Sequence, residues 1–212
     1  MPETTSRIAL HFFTERHAMP RPSKKKKLLE AATAIFCAIG YKACTIEDIA
    51  EKAGAVKGSF YNHFKSKEAL AVEVIDLYVE EKVLPLLALE GPPSPLKRLR
   101  THFEKISDIQ KSIQFQGCMI ANFSGEVTNL GDDLRSALKE GLDRWTRAVA
   151  EVIRQAQQEG EVGKKFKEDI LARCLVNACE GALVRGRVLR NQQPFDDFLS
   201  ITFRAILTPG DL

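Results

Sequence analysis

The chain has 212 residues, of which 44% are hydrophobic and 28% are charged, and its formal net charge is +3 at pH 7. This composition is that of an ordinary globular protein, long enough for one moderate domain or two small ones, and the longest apolar run, residues 83–89, is too short to span a membrane. The five cysteines are an odd number and do not indicate a disulfide framework, so we expect a reducing cytoplasm.

The first helix is predicted to follow a poorly patterned N-terminal segment. Residues 1–23 show no helical period, and we expect them to be disordered; starts at Met1 and at Met19 both stay open. Ser23 is a suitable cap, and Gly40 matches the glycine that often follows a helix. The buried side of this helix is expected to consist of Leu28, Leu29, Ala32, Ile35, Phe36 and Ile39.

Residues 45–64 predict two short helices joined by a tight turn. Thr45 and Asp48 match a capping box, and Gly54 supplies the turn. The second helix is expected from about Val56 to Phe64, with Val56, Phe60 and Phe64 forming a buried stripe. Its opposite surface would present small or hydrogen-bonding residues, as a helix in a DNA major groove requires: Lys57, Gly58, Ser59, Tyr61, Asn62 and His63.

Positive charge is concentrated around these helices. Residues 24–67 contain nine lysines against four acidic residues. Such a surplus favours contact with phosphates, although a charge run by itself is usually a solvated face.

The run from Thr45 to Leu70 resembles the DNA-binding signature of the TetR family of bacterial transcriptional regulators, and the resemblance covers about residues 24–70. It implies a three-helix helix-turn-helix domain in which the surface residues of the second helix contact bases or phosphates. It also implies that Thr45 and Lys67, each at a helix N-terminus, anchor the DNA backbone. The basic stretch 21–27 would be a flexible arm on DNA or only a solubilising lead-in. A helical hairpin that merely packs in a bundle is the alternative.

The rest of the chain also predicts helices. One is capped by Ser66 and runs to about Leu89, and others lie near 95–113, 117–128, 132–159, 167–190 and 195–207. No stretch alternates with a period of two, so the expected fold class is all-α. We divide the chain into a disordered basic arm (1–23), the helix-turn-helix domain (24–70) and an effector-binding and dimerisation domain (71–212).

The last two helices carry more apolar residues than one core requires. These residues are Leu171, Cys174, Leu175, Ala178, Ala182 and Leu183 on one helix, and Phe195, Phe198, Leu199, Thr202, Phe203 and Ile206 on the other. The excess favours a two-fold four-helix interface, which is also the homodimer that the family resemblance implies.

Residues 117–127 and the run that follows them resemble one subgroup of the family. That subgroup includes the repressors of N-ethylmaleimide reductase and of acrylate-metabolism genes, some of which sense electrophiles or oxidants. The resemblance implies that Cys118 is a sensor, and a helix N-terminus would lower the pKa of its thiol. Arg187 would add a nearby cation; relatives that sense oxidants can place a lysine there, so capture of an oxidised sulfur is in doubt. Packing is the alternative role for Cys118.

Other effector residues are weaker predictions. Phe115, Met119, Phe123 and Trp145, together with Asn122, would line a pocket, although core packing is the alternative for the large side chains. Glu180, Arg185 and Arg187 are candidates for a polar or anionic ligand, or else solvated surface. No histidine or cysteine has metal-ligand spacing, and no enzyme motif occurs, so we expect no metal, cofactor or catalysis.

The sequence therefore predicts a cytoplasmic, homodimeric repressor that leaves double-stranded operator DNA when a small molecule acts on it. The small molecule is expected to be an electrophile or oxidant that acts through Cys118 and moves helix 66–89. Three alternatives stay open. The first is reversible effector binding with a structural Cys118. The others are an enzyme and an architectural DNA-binding protein without effector control.

Overall fold

The computed structural model describes residues 23–87, 94–126 and 131–207. Within these ranges the chain forms α-helices and no strands, which confirms the all-α prediction. The helices are α1 (Lys24–Ile39), α2 (Ile46–Lys52), α3 (Lys57–Tyr61), α4 (Lys67–Tyr78), α5 (Pro95–Ser112), α6 (Met119–Ser124), α7 (Asp132–Gln158), α8 (Glu168–Leu189) and α9 (Gln193–Ile201). The predicted arm lies outside the described residues up to residue 22.

Helix α1 begins and ends as its sequence predicts. The Ser23 hydroxyl accepts a hydrogen bond from the Lys26 amide at 3.2 Å, and Gly40 ends the helix with a φ of 86°. Leu28, Ala32 and Phe36 are buried in the core. The prediction for Ile39 is wrong, since this last helical residue is 53% exposed where the chain reverses.

Helix α2 has the predicted capping box, and α3 is shorter than expected. The side chains of Thr45 and Asp48 each accept a hydrogen bond from the other residue's amide. Helix α3 starts only at Lys57 because Val56, its cap, has an extended backbone. Val56 is consequently out of phase with the helix and 75% exposed, so the predicted stripe keeps only Phe60 and Phe64.

Helix α4 connects the first three helices to the remainder of the chain. It continues through a π-helical turn over Val79–Val83 and a 3-10 turn over Leu84–Leu86, close to the predicted span. It packs against α1 on one side and α7 on the other. Arg144 on α7 forms ion pairs with Asp76 and Glu80 of this segment.

Helix α7 is the longest helix and packs against α4, α5, α6 and α8. Its Trp145 is buried, and the indole N–H donates to Nε2 of the buried His102 on α5 at 2.9 Å. Burial lowers the pKa of His102 to about 3, so this imidazole is neutral at physiological pH. A neutral imidazole can accept the indole proton, and the pair joins α5 to α7.

Helices α8 and α9, with the π-helical turn Thr202–Ile206 that follows α9, expose apolar side chains that we call the α8–α9 face: Val184, Val188, Leu189, Ile201 and Ile206. The sequence overestimated the share of apolar residues left for a partner chain. Seven of the residues that it assigned to the excess pack inside their own chain: Leu171, Leu175, Ala182, Leu183, Phe195, Phe198 and Thr202. Within the described ranges, no helix has the length and apolar character needed to cross a membrane.

Candidate nucleic-acid interface and effector region

Helix α3 and the residues after it present a polar surface to solvent. Lys57, Gly58, Tyr61, Asn62 and His63 are all exposed, as the sequence predicts. Behind them, the fully buried Phe60 packs against Phe64 with ring centroids 5.6 Å apart. The helix is therefore fixed from behind while its outer side chains are free to contact another molecule.

Ser59 does not belong to this exposed surface. The sequence placed it among the outward residues, but only 7% of its surface is accessible. Ser59 is the middle residue of this five-residue helix and is covered together with the neighbouring Phe60. A direct contact from Ser59 would require the helix to rotate.

Thr45 and Lys67, the two expected backbone anchors, already have partners within the chain. The Thr45 hydroxyl donates to the Asp48 carboxylate at 2.6 Å. The Lys67 ammonium donates to the carbonyls of Tyr41 and Cys44 at 2.9 and 2.7 Å. Lys67 is half-buried and holds the turn between α1 and α2 in place, so in this conformation its charge is not free for phosphate.

Helix α6 and the residues just after it touch that same turn from the other side, in what we call the α6 junction: Asn122, Phe123 and Glu126. The Glu126 carboxylate accepts hydrogen bonds from the amides of Tyr41 and Lys42 at 3.0 and 2.8 Å. The Asn122 amide donates to the Cys37 carbonyl at 3.3 Å. Residues that the sequence assigned to the effector region thus contact α1 and the turn after it directly.

Cys118 caps the N-terminus of α6, as expected, but its thiol is deeply buried. Burial, and then the charge of Glu180, raise its pKa well above the ordinary value. The backbone amides of Ala121 and Ile120 act in the opposite direction, as a helix N-terminus should, with a smaller effect. The expectation of a lowered thiol pKa is therefore wrong for this conformation, because burial outweighs the helix.

The buried Cys118 thiol and the half-buried side chains of Tyr78 and Glu180 form a polar group that we call the thiol cluster: Tyr78, Cys118 and Glu180. The Tyr78 hydroxyl lies 3.8 Å from the Cys118 sulfur. The Glu180 carboxyl interacts electrostatically with the thiol, and burial raises the pKa of this carboxyl to about 7. One carboxyl oxygen of Glu180 is buried without a hydrogen-bond partner among the described residues. Unsatisfied buried oxygens are unusual and often accompany function.

Arg187 is not the cation of this cluster. Its guanidinium donates to the side-chain oxygen of Asn122 at 2.5 Å, and the amide of Asn122 in turn contacts α1. Arg185 instead lines a groove between α8 and α9, together with Asp197. Glu180, Arg185 and Arg187 point to three different places because spacings of five and two residues put them on different sides of the helix. They do not form the single polar site that the sequence suggested.

The aromatic and methionine candidates separate in the same way. Met119, Phe123 and Trp145 are fully buried. Phe123 packs against Phe36 with ring centroids 5.2 Å apart, which ties α6 to α1. Phe115 is half-buried and lines an open cavity near Arg187. The alternative of core packing fits the three buried side chains.

Sequence reasoning did not assign roles to several residues that matter here: Tyr78, Lys111, Glu126 and Arg190. These residues meet the predicted site only through packing between helices distant in sequence. A signal existed for Glu126, which lies in the motif shared with the resembling subgroup. Among the described residues, no group of three or more histidine, cysteine or acidic side chains could hold a metal ion.

Comparison with known proteins covers both parts of the chain. Residues 28–74 match the family described as bacterial regulatory proteins, tetR family. Residues 95–202 match the tetracyclin repressor-like C-terminal domain.

Individual relatives are similar over most of the chain. The HTH-type transcriptional repressor DhaR of Mycobacterium sp. (strain GP1) is 32% identical over 191 residues, 89% of this chain and 95% of the relative. The transcriptional regulator AcuR of Cereibacter sphaeroides is 30% identical over 172 residues, 80% of this chain and 78% of the relative. A crystal structure of the regulatory protein TetR from Rhodobacter sphaeroides is 30% identical, with a TM-score of 0.78, and covers 84% of this chain and 95% of that chain.

Proposed function

The chain belongs to the TetR family of bacterial regulatory proteins and is a helix-turn-helix transcriptional repressor. We propose that it binds operator DNA as a homodimer and leaves the DNA when a small molecule binds. The relatives DhaR and AcuR carry regulator names, which supports this function. We further propose that the protein acts in the cytoplasm without catalysis, with residues 24–70 binding DNA and residues 71–212 binding the effector and the second chain.

The observation that carries the DNA-binding proposal is the exposed polar surface of α3 in front of buried Phe60. Lys57 and Asn62 supply hydrogen bonds to base edges, Gly58 allows close approach, and Tyr61 and His63 contact bases or phosphates. Lys57 exchanges its present ion pair with Glu47 for a DNA contact. Each good base contact contributes about 1–3 kcal/mol of discrimination against a wrong base.

Release from DNA requires that the effector prefer a conformation in which the two α3 helices no longer fit neighbouring half-sites. Helix α4 and the α6 junction are the two routes by which the effector region reaches α1 to α3. A change in α6 that removed the Glu126 hydrogen bonds would free the turn that precedes α2. A coupling free energy of about 1–3 kcal/mol is typical of such linkage.

For Cys118 we propose slow, gated reaction with an α,β-unsaturated carbonyl compound. The thiol proton passes to the Glu180 carboxylate, the sulfur forms a bond to the β-carbon, and the α-carbon takes up a proton. Glu180 supports this step because its carboxyl interacts electrostatically with the thiol and has a pKa of about 7. Since the thiol is buried, the electrophile reaches it only when α6 moves away from α8.

The DNA-binding proposal is tested by selecting bound duplexes from a random pool with the full chain. We expect enrichment of a palindrome. Asn62→Ala should relax the preference at one position of each half-site, whereas the matched surface variant Lys139→Ala should change nothing. Recovery of unrelated duplexes with no shared palindrome would contradict sequence-specific binding.

The sensor proposal is tested by operator release under an unsaturated ketone, with adduct mass measured in parallel. Wild type should lose operator affinity as the Cys118 adduct accumulates, and Glu180→Gln should slow the adduct. Cys174→Ser is the control, because Cys174 is the exposed cysteine. If Cys118→Ser leaves the operator at the same ketone concentration as wild type, the covalent route is ruled out and reversible binding of the effector remains.

A further inference from the structure

An open cavity of about 560 Å³ lies where the end of α1, the α5–α6 connection and the end of α8 meet. Ala38 contributes from α1, Gln114 and Gln116 from the connection, and Arg187 and Arg190 from the end of α8. Lys111 completes the rim from α5. A molecule bound here would touch the helix-turn-helix part and the effector part at once.

The charge of this cavity has one sign. Lys111, Arg187 and Arg190 line it, and none of its lining residues in the described part of the chain is acidic. Lys111 forms an exposed ion pair with Asp108 at 3.2 Å. Such a pair contributes little to stability, and Lys111 can exchange it for another anion. Arg190 ends α8 in the left-handed conformation and forms no ion pair with any other described residue. Cations from two helices facing one cavity create a positive potential that attracts anions.

The α5–α6 connection, which forms one wall of the cavity, has a strained backbone. Gln114 and Phe115 both have left-handed backbones, with φ of 53° and 58°, which costs free energy for residues other than glycine. Buried Gln110 holds the following Gly117 by accepting from its amide at 3.0 Å and donating to its carbonyl at 3.4 Å. The strained connection is therefore held in a fixed shape beside Arg187.

Arg187 also connects the cavity to the DNA-binding part. Its guanidinium donates to the Asn122 oxygen, and the Asn122 amide donates to the Cys37 carbonyl of α1. Arginine pairs best with carboxylate or phosphate, which accept two parallel hydrogen bonds. An anion in the cavity would therefore compete with Asn122 for Arg187 and loosen the contact with α1.

We propose that this cavity binds the oxyanion group, carboxylate or phosphate, of a small-molecule effector, held by Lys111, Arg187 and Arg190. The inference rests on the proposed function, because it names a chemical group, an oxyanion, by which the effector of the proposed repressor is recognised. Occupation of the cavity draws Arg187 away from Asn122 and weakens the link between α6 and α1, which lowers the affinity for operator DNA.

The test is calorimetric titration of the full chain with inorganic pyrophosphate and, separately, with citrate, at low ionic strength and without DNA. The variant Lys111→Gln/Arg190→Asn removes two cations, and asparagine tolerates the left-handed backbone at position 190. The control variant Lys139→Gln/Arg147→Gln removes the same charge from exposed positions on α7. The single variant Lys111→Glu, at an exposed helical position, repeats the test should the double variant fail to fold.

We expect wild type and control to bind one anion per chain and the cavity variants to bind at least about tenfold more weakly. The tighter probe identifies phosphate or carboxylate as the preferred group. Equal weakening in control and cavity variants, or no binding by wild type, would overturn the inference while leaving the repressor function intact. Weaker operator binding by the cavity variants without any anion would assign these cations to the DNA backbone and would also overturn it.

Discussion

Gly40 is a residue whose backbone and surroundings both exclude a side chain. Its φ is 86°, and a Cβ there would collide with the Glu126 carboxylate, which holds the amides of Tyr41 and Lys42. A substitution therefore strains the backbone and pushes away the acceptor of two hydrogen bonds. The close contact between α6 and the turn after α1 depends on this glycine.

We predict that Gly40→Ala lowers the free energy of unfolding by about 2–3 kcal/mol, about 1 of it from backbone strain and the rest from the Glu126 contacts. Urea denaturation measures the loss. Gly160→Ala is the matched control, since Gly160 also has a positive φ of 77° but open space around its Cβ position. The same loss in both variants would show that Glu126 contributes nothing.

Glu180 should make stability depend on pH. Burial raises the pKa of its carboxyl from 4.5 to about 7, so between these values the folded chain binds a proton that the unfolded chain does not. Stability from this group is therefore lost as pH rises from about 4.5 to 7, by an amount on the order of 3 kcal/mol. The pKa values of Cys118 and Tyr78 are raised well above their ordinary values, so neither titrates in this window.

We predict that Glu180→Gln is more stable than wild type at pH 8 by about 1–3 kcal/mol and equal to it near pH 4.5, because glutamine has no charge to bury. Urea midpoints across this range measure the difference. For the control variant Glu140→Gln, on the surface of α7, the urea midpoint should change with pH in the same way as that of wild type. A constant offset between Glu180→Gln and wild type would show that the carboxyl does not titrate in the window.

At the scale of elements, the turn between α1 and α2 is held from two sides. Lys67, at the start of α4, donates to two of its carbonyls, and Glu126, after α6, accepts from two of its amides. The orientation of α2 and α3 therefore depends on elements that belong to the effector region or lead into it. A substitution of Lys67 would therefore alter the orientation of α2 and α3 without any contact between Lys67 and DNA.

We predict that Lys67→Met lowers the free energy of unfolding by about 1–3 kcal/mol and weakens binding to all DNA sequences alike, because two carbonyls lose their charged donor. Lys57→Met should weaken DNA binding with little change in stability, since its ion pair is exposed. Thermal unfolding and gel-shift titration separate the two effects. Unchanged stability in Lys67→Met would return Lys67 to the role of a direct phosphate contact.

For the whole molecule, the α8–α9 face leaves large apolar side chains in solvent. Val188 is 77% exposed and Ile201 is 59% exposed, on helices that pack against each other. Large exposed apolar side chains on neighbouring helices are typical of an interface, and a two-fold axis through these helices would pair two chains. Pairing would also set the distance between the two α3 helices.

We predict that Val188→Glu converts the dimer to a monomer and abolishes tight operator binding, because a charge would be buried in the interface. Sedimentation velocity gives the oligomeric state. Ile109→Glu, an exposed apolar residue on α5, is the control and should stay dimeric. A dimer that persists in Val188→Glu would place the interface elsewhere.

The sequence by itself determined the local features of this protein. Capping residues such as Ser23 and Thr45, the break at Gly40 and the helical period act within a few neighbouring residues, so the bounds of α1, α5, α7 and α8 could be predicted to within one or two residues. The predictions for α3 and for α6, which was expected over 117–128, were too long. The run from Thr45 to Leu70 also indicated the family, because the residue types needed for a helix-turn-helix are consecutive. The error at Val56 and Ser59 arose where one extended residue shifted the phase of a very short helix.

Only the tertiary structure decided the environment of the effector residues. The pKa of Cys118 follows from burial and from Glu180, 62 positions away in sequence, and not from its place at a helix N-terminus. Arg187 meets Asn122 and a cavity with Lys111 because α5, α6 and α8 pack together there. Desolvation and convergence of charges depend on atoms brought together by packing, and a linear pattern carries no record of those distances.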